Sequence, residues 1–343
     1  MNKFLENDLT LESQWRALIQ FGKNSATYKF AFAKSLLELA TNDKTTFNLK
    51  ELADPFSRNI TEHLLVNDKQ GSSNSSTFLN ECRKYNNNEI DKNSLLHTTE
   101  KLGFVNVVDA FQNINGSVVP DIFYSKDYSK GKKEIILTDN FFKLSESIQF
   151  KNFINESEAR WRLVETAWDL KLNPNMIVSY DNGNEQLFIN DNNMRRVNIT
   201  SARDALSGYQ KGKCFYSFKD LNIKNVESFN CDVDHVFPHK NKLFHQNSLH
   251  SANINGVWNL VLSDKTINRH EKGAKYPSLK YLERLHKRNE YYITSKHPLA
   301  ETIINQTGLS EFERKNFLNY HWNISKQNCI HEFLTQEVKE NKF

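Results

Sequence analysis

Four polar residues in the second half of the chain have types and spacings suited to hydrolytic chemistry. Asp234 is followed directly by His235 and then by Val-Phe-Pro, a pattern that predicts the end of a strand running into a loop. Such a strand end projects a carboxylate and an imidazole from adjacent backbone positions. Asn259 lies 24 residues after His235 and begins a short apolar run, and Asn268 lies nine residues further on, inside a basic segment with a helical pattern.

The segment around these residues resembles the HNH (ββα-metal) nuclease family, in the variant whose third signature position is Asn rather than His. The resemblance covers roughly Gly208 to Pro277, about a fifth of the chain. An Asp-His pair alone is unspecific, and the downstream Asn-Leu-Val-Leu and Asn-Arg-x-x-Lys-Gly carry the specificity. The resemblance implies that His235 is the general base, that Asp234 and Asn268 are metal ligands, and that Asn259 orients the histidine.

The hydrolysis of a phosphodiester explains why these residue types occur together. A neutral imidazole can accept a proton from the attacking water close to neutral pH. A hard divalent cation prefers oxygen ligands and keeps several waters, so a carboxylate and an amide oxygen suffice as the protein's share. The resemblance therefore implies an endonuclease that uses Mg²⁺ or Mn²⁺ as its cofactor.

The cysteines bear on a second metal that is common in this family. Many relatives hold a structural zinc with two C-x-x-C pairs, but this chain has no such pair, and Ser217 stands where Cys214 would need a partner. Cys214 and Cys231 alone cannot fill a four-ligand site. We expect no structural zinc and, with sparse cysteines, free thiols in a reducing compartment. A zinc site would need histidines to complete it, with His239, His245, His250 and His270 as the candidates.

The charge of the chain is unevenly distributed. The net charge is +4 overall, but residues 195–288 hold 17 Lys and Arg against 8 Asp and Glu, a net charge of +9. Six of the eleven histidines also lie in this window. A basic segment around the motif is the footprint expected for a polyanionic substrate. A solvated basic face is the alternative, but it does not explain the coincidence with the motif.

Eight of these cations are candidates for binding nucleic acid. The segment from Ser278 to Tyr292 has a helical pattern, and its cations follow a spacing of i, i+4, i+7 and i+8 that puts them on one face, suited to tracking phosphates. The lysine-rich stretch from Lys126 to Lys133 is a second, weaker candidate. The candidate residues are Lys240, Arg269, Lys272, Lys275, Lys280, Arg284, Lys287 and Arg288.

Hydrophobic periodicity predicts the elements that position the motif. Residues 1–199 are expected to form a mainly α-helical domain, with helices at Tyr28–Leu39 and Leu49–Leu65, the second interrupted at Pro55. Residues 200–290 form the nuclease module, and residues 291–343 form a helical cap. The expected fold class is therefore α+β, with a mostly helical N-terminal region before a ββα module. Within that module, Lys213–Tyr216 and Ser228–Val233 are predicted to pair as strands, and Asp264–Lys275 to form the helix.

The sequence leaves alternatives open for the function of the protein more than for its fold. A non-catalytic nucleic-acid-binding protein with the same fold is one, although none of the four key positions is visibly broken. The resemblance favours DNA over RNA and a role in bacterial restriction or phage defence, with a homing or mobile-element nuclease as the second role. Residues 1–199 are long enough for a recognition domain, a regulatory domain or a platform for a partner protein. The amino terminus lacks an apolar signal segment, so a cytoplasmic location without a membrane partner is expected; the oligomeric state is left open.

Overall fold

The structure, a computed structural model, describes the chain apart from residues 1–2, 22–25, 41–43, 72–75, 115, 171–177, 191–194, 224–228 and 342. It contains both helices and strands, so the α+β class is confirmed at this level. The chain divides into two compact units, 1–161 and 162–343. This division falls earlier than the boundary expected at residue 199. The strands between residues 179 and 201 accordingly belong to the second unit.

The first unit is mostly helical. Its three-stranded antiparallel sheet has the order β1-β5-β4, and β2 pairs with β3. The strands are β1 (Thr46–Asn48), β2 (Asn113–Ile114), β3 (Ser117–Val118), β4 (Tyr124–Asp127) and β5 (Glu134–Leu137). The α-helices that begin in this unit are α1 (Lys3–Glu6), α2 (Leu11–Gln20), α3 (Tyr28–Leu39), α4 (Leu49–Val66), α5 (Thr77–Asn86), α6 (Lys92–Thr98), α7 (Val107–Ala110), α8 (Asp139–Ser145) and α9 (Phe150–Leu170), and a π-helical turn spans Thr99–Gly103.

The helix α3 has the predicted bounds, but the interruption predicted at Pro55 is wrong. Helix α4 runs through it without a break, because a capping box between Asn48 and Glu51 fixes its start and because Leu52 and Phe56, on either side of the proline, are fully buried. Proline removes one backbone donor from a helix, and the packing of the two flanking side chains outweighs that loss.

Aromatic side chains fill the core of the first unit. Trp15 makes ring contacts with Phe111, Phe123 and Phe141 at centroid distances of 5.2–5.6 Å. Trp161 is fully buried, and its indole N–H donates to the Gln70 side chain at 2.9 Å. This tryptophan is therefore a core residue.

The second unit contains the motif. A three-stranded antiparallel sheet has the order β6-β7-β8, β9 pairs with β10 in an antiparallel ladder, and β11 pairs with β12 in parallel. The strands are β6 (Ser179–Asp181), β7 (Gln186–Asn190), β8 (Arg196–Ser201), β9 (Cys231–His235), β10 (Leu260–Asp264), β11 (Tyr276–Pro277) and β12 (Glu332–Phe333). The α-helices are α10 (Ala202–Gln210), α11 (Lys242–Gln246), α12 (Leu279–Thr294), α13 (Ala300–Thr307) and α14 (Glu311–Asn328), with short 3₁₀ turns at His239–Asn241 and Val257–Asn259 and a π-helical turn at Ile267–Lys272.

The strand that pairs with β9 differs from the prediction. Its partner is β10, so Lys213–Tyr216 is not the first strand of the pair, and Ser228 lies outside the described residues. The segment 213–216 lies instead on the outer side of β10, where the Gln210 amide donates to the Leu262 carbonyl and accepts from the Leu262 N–H. The backbone of 213–216 is left with a single bond to this strand, from the Phe215 N–H to the same carbonyl.

Side chains of helix α12 fix the start of strand β10. The buried Arg288 guanidinium donates to the carbonyls of Leu260 and Trp258 at 3.0 and 2.8 Å, and the Asn289 amide donates to Trp258 at 3.1 Å. These bonds satisfy carbonyls at the start of β10 that have no strand neighbour there. Among the helices described, none is long and apolar enough to cross a membrane.

Candidate functional site

The strand β9 presents its acidic residues on one face and its histidine on the other. Successive side chains of a strand point to opposite faces, so Asp232 and Asp234 lie together while Cys231, Val233 and His235 point away. The helical segment that follows β10 spans residues 265–272 and supplies side chains to the acidic face. The structure thus brings Asp234, His235 and the segment that carries Asn268 to one strand pair.

The Asp234 carboxylate is buried and both of its oxygens have protein donors. The Tyr216 hydroxyl donates to Oδ2 at 2.6 Å, and the Lys272 ammonium lies 3.1 Å from Oδ1. The same ammonium donates to the His235 carbonyl at 2.7 Å. Burial, followed by the charge of Asp234, raises the pKa of Tyr216 well above its usual value, so this hydroxyl remains a donor. The Lys272 ammonium group therefore lies between the Asp234 carboxylate and the end of strand β9.

Asp232 has a different set of partners. Arg269 binds it with two bonds, from Nε at 2.8 Å and from Nη2 at 2.9 Å. The Asn268 amide also donates to Asp232, at 3.3 Å. The π-helical turn thus directs the Asn268 side chain toward the earlier carboxylate, and the assignment of Asn268 and Asp234 as ligands of one metal ion stays a prediction.

His235 lies at the end of β9 in a largely buried environment. Its Nε2 is 3.0 Å from the Asn255 amide oxygen, and its ring contacts Tyr180 and His239 at centroid distances of 5.8 and 5.3 Å. An amide oxygen only accepts, so Nε2 carries the proton and Nδ1 holds the lone pair. Burial lowers the pKa of His235 to about 4. The ring is therefore neutral at physiological pH and has one nitrogen able to take a proton.

Asn259 does not orient the histidine ring, contrary to the prediction. Its side chain is fully buried and accepts from the Phe237 N–H at 2.8 Å while donating to the Ile254 carbonyl at 2.9 Å. These bonds fix the loop that leaves β9 and the loop that enters β10. Asn259 positions the backbone on both sides of the site, and Asn255 contacts the ring in its place.

Three of the eight predicted nucleic-acid-binding cations are buried. Arg288 and Lys272 have the backbone and carboxylate partners described above. Arg284 donates to the Phe215 and Tyr216 carbonyls and pairs with Glu337. The prediction of four exposed cations on one face of α12 is wrong for Arg284 and Arg288, because the positions i+4 and i+8 of that spacing face buried backbone carbonyls, those of 215–216 for Arg284 and those at the start of β10 for Arg288.

The other five cations reach the surface to different degrees. Arg269 is 58% exposed although it is bound to Asp232. Lys275 is partly exposed and donates to the Glu271 carbonyl, and Lys280 is exposed and pairs with Glu337 at 2.8 Å. Lys240 and Lys287 are exposed. A surface open to phosphates therefore consists of these residues rather than of the full set.

Three residues that contact the motif are not predicted as site residues from the sequence. Tyr216 bonds Asp234, Asn255 bonds His235, and Asp232 accepts from Asn268 on the acidic face. Asp232 could have been identified from the sequence, since Asp-Val-Asp in a strand puts both carboxylates on one side. Tyr216 and Asn255 lie 18 and 20 residues from their partners, and no spacing rule connects them.

The donor chemistry of the acidic face suits a hard cation, but its present arrangement does not fit one. Both oxygens of Asp234 are engaged by Tyr216 and Lys272, and Asp232 is engaged by Arg269. Within the described part of the chain, no group of three or more His, Cys, Asp or Glu is placed to hold a metal ion. Cys214 and Cys231 are buried free thiols. Mg²⁺ or Mn²⁺ would require Lys272 to leave Asp234.

Comparisons with known proteins add no relative. No protein-family model, no curated protein and no solved structure matches this chain.

Proposed function

We propose that this protein is an HNH-type endonuclease that hydrolyses phosphodiester bonds of nucleic acid, DNA in preference to RNA. One observation carries the proposal. The antiparallel pair β9–β10 is followed by the helical segment 265–272, which contacts the Asp234 carboxylate and the His235 carbonyl through Lys272, and a strand pair followed by a helical segment is what the resemblance leads us to expect. The excess of basic residues between 195 and 288 supports a polyanionic substrate. A role in bacterial restriction or phage defence belongs to the same proposal.

The proposed chemistry assigns one task to each side chain. Nδ1 of His235 takes the proton of a water that attacks phosphorus, and the bond to the leaving oxygen breaks. The leaving oxygen takes a proton from solvent. Asn255 holds the ring in the tautomer that leaves Nδ1 free, and Asn259 fixes the loops on either side. An approaching phosphodiester anion raises the low pKa of His235, which strengthens it as a base.

The cofactor implied by the resemblance is Mg²⁺ or Mn²⁺, which would stabilise charge on the phosphate oxygens when bound. Asp234 is the residue best suited to hold it, once its carboxylate is released from Lys272. Arg269, which is exposed, lies on the π-helical turn, and Lys275, which is partly exposed, lies just after it, where both can contact phosphates.

A second function is favoured by the Lys272–Asp234 ion pair. If the ammonium remains on the carboxylate when nucleic acid binds, the protein binds nucleic acid without cleaving it. The two functions make the same prediction for binding and opposite predictions for hydrolysis.

The test is a time course of cleavage of plasmid, single-stranded DNA and RNA, with Mg²⁺, with Mn²⁺ and with EDTA. His235→Ala should lose about 10²–10⁴-fold in rate, the usual contribution of a general base, while retaining binding and its melting temperature. His239→Ala is the matched control, because that exposed ring neighbours His235 and has no assigned role. Equal rates for His235→Ala and the parent protein would refute the assignment of the base. Binding without any cleavage by the parent protein would establish the second function instead.

A further inference from the structure

The Lys272 ammonium lies where a cation at Asp234 would lie. It contacts Oδ1 of the carboxylate at 3.1 Å and the carbonyl of the neighbouring His235 at 2.7 Å. Both are oxygen donors of the kind that a hard divalent cation prefers. The side chain of Lys272 is 1% exposed and that of Asp234 is 7% exposed, so the pair is shielded from solvent and from screening by salt.

We infer that Lys272 is a tethered cation that competes with a divalent metal ion for Asp234, and so sets the metal affinity of the site. The inference rests on the proposed function, since the nuclease interpretation is what assigns a metal to Asp234. A metal ion cannot bind Oδ1 while the ammonium remains there, because two cations in a buried site repel each other strongly. Each metal-binding event therefore includes the displacement of Lys272.

A consequence concerns the substrate. Lys272 follows Arg269 by three residues on the same π-helical turn, but Arg269 is 58% exposed whereas Lys272 is 1% exposed. A polyanion bound at this turn meets the exposed guanidinium first, and its charge also favours the release of the Lys272 ammonium from Asp234. Metal binding and polyanion binding are therefore expected to favour each other, and by linkage the effect is equal in both directions.

The first experiment measures Mn²⁺ binding by calorimetry at fixed pH, without nucleic acid. Lys272→Gln removes the charge but keeps an amide N–H that can donate to the same oxygens. We expect this variant to bind Mn²⁺ about tenfold more tightly than the parent protein. Lys275→Gln is the control, because Lys275 donates to the Glu271 carbonyl and should leave the affinity unchanged. Adding Asp234→Asn to Lys272→Gln should abolish the gain.

The second experiment uses the parent protein alone, so it decides the question even if the variant does not fold. Lysine acylation followed by mass spectrometry reports which ammonium groups are accessible. Lys272 should be protected without metal and become labelled as Mg²⁺ is added, while the labelling of Lys275 stays constant. An unchanged Mn²⁺ affinity in folded Lys272→Gln, or a Lys272 that stays protected at saturating Mg²⁺, would overturn the inference.

Neither readout depends on cleavage. A protein in which Lys272 competes with Mn²⁺ but which hydrolyses no nucleic acid refutes the endonuclease and leaves the competition intact. A protein that cleaves with Mg²⁺ while Lys272 stays protected retains the endonuclease and refutes the competition.

Discussion

Asp232 and Asp234 lie on the same face of one strand, two residues apart, yet they are paired in opposite ways. Asp232 is covered by Arg269, whose side chain is 58% exposed, so water replaces the guanidinium easily. Asp234 is enclosed by Tyr216 and by a lysine that is 1% exposed. The difference teaches that the exposure of the cation to solvent, rather than that of the carboxylate, determines how much each ion pair contributes to the free energy of unfolding.

The largest effect on stability is expected from the enclosed pair. Lys272→Ala leaves a buried carboxylate without its cation and should lower the free energy of unfolding by about 3–5 kcal/mol. Arg269→Ala opens Asp232 to water and should lower it by only about 0–1 kcal/mol. Urea unfolding of both variants in EDTA measures the two losses. Similar losses of unfolding free energy would show that the two ion pairs are equivalent and would refute the proposed difference between them.

A second contrast tests the same distinction between an enclosed and an exposed cation on helix α12. Arg288→Ala removes a donor from the Leu260 carbonyl, whereas the Trp258 carbonyl keeps the Asn289 amide. We expect a loss of about 1–3 kcal/mol, the penalty for one buried acceptor left without a partner. Lys287→Ala, at the adjacent and exposed position, should lie within about 0.5 kcal/mol of the parent protein. If Arg288→Ala is equally mild and instead weakens nucleic-acid binding, the original surface assignment was right.

The smallest effect on stability is expected from two buried histidines that carry no charge. His245 and His321 are fully buried on helices α11 and α14, with their Nδ1 atoms 2.9 Å apart. Burial lowers the pKa of each to about 4, below the usual value of about 6.5. The neutral form is thus favoured by folding, so its contribution is complete above pH 6.5 and is lost as the pH falls toward 4.

The melting temperature should accordingly fall by a few degrees between pH 6.5 and 4.5. His321→Asn, which cannot be protonated, should melt lower at neutral pH but show a shallower dependence on pH. His331→Asn, at an exposed position in the tail, is the control and should follow the parent curve. A slope that His321→Asn leaves unchanged would assign the acid sensitivity to other groups.

How far the sequence predicts this molecule depends on the range of the interaction. The strand end at Asp234 and His235 and the helix α3 follow from local patterns, and the structure has both elements at the predicted positions. The predicted pairing of β9 with Lys213–Tyr216 is wrong, because β10 pairs with β9 and the segment 213–216 lies on the outer side of β10, where the Gln210 side chain bonds Leu262. Such a contact joins residues 52 positions apart, and no periodicity records it.

The site shows the same limit. A basic residue at helical spacing is equally consistent with a phosphate-binding face and with a buried donor, so Arg284 and Arg288 could not be separated from Lys280 and Lys287. Asn259 bonds the backbone rather than the predicted imidazole ring, because the choice between ring and backbone depends on the loop geometry. The nuclease assignment itself stays a prediction until cleavage is measured.

The Gln210 amide has a consequence for how this chain behaves in concentrated solution. Its two bonds to Leu262 imitate the ladder of a third strand, so the outer edge of β10 offers no template at that point to another molecule. Unprotected strand edges are where native chains join edge to edge and begin to aggregate. Gln210→Leu would bury a similar volume yet leave the Leu262 N–H without its acceptor, while the Leu262 carbonyl would keep the Phe215 N–H as its donor. One side chain on a neighbouring helix, together with the Phe215 N–H, thus closes the outer edge of β10 to further strand pairing at Leu262.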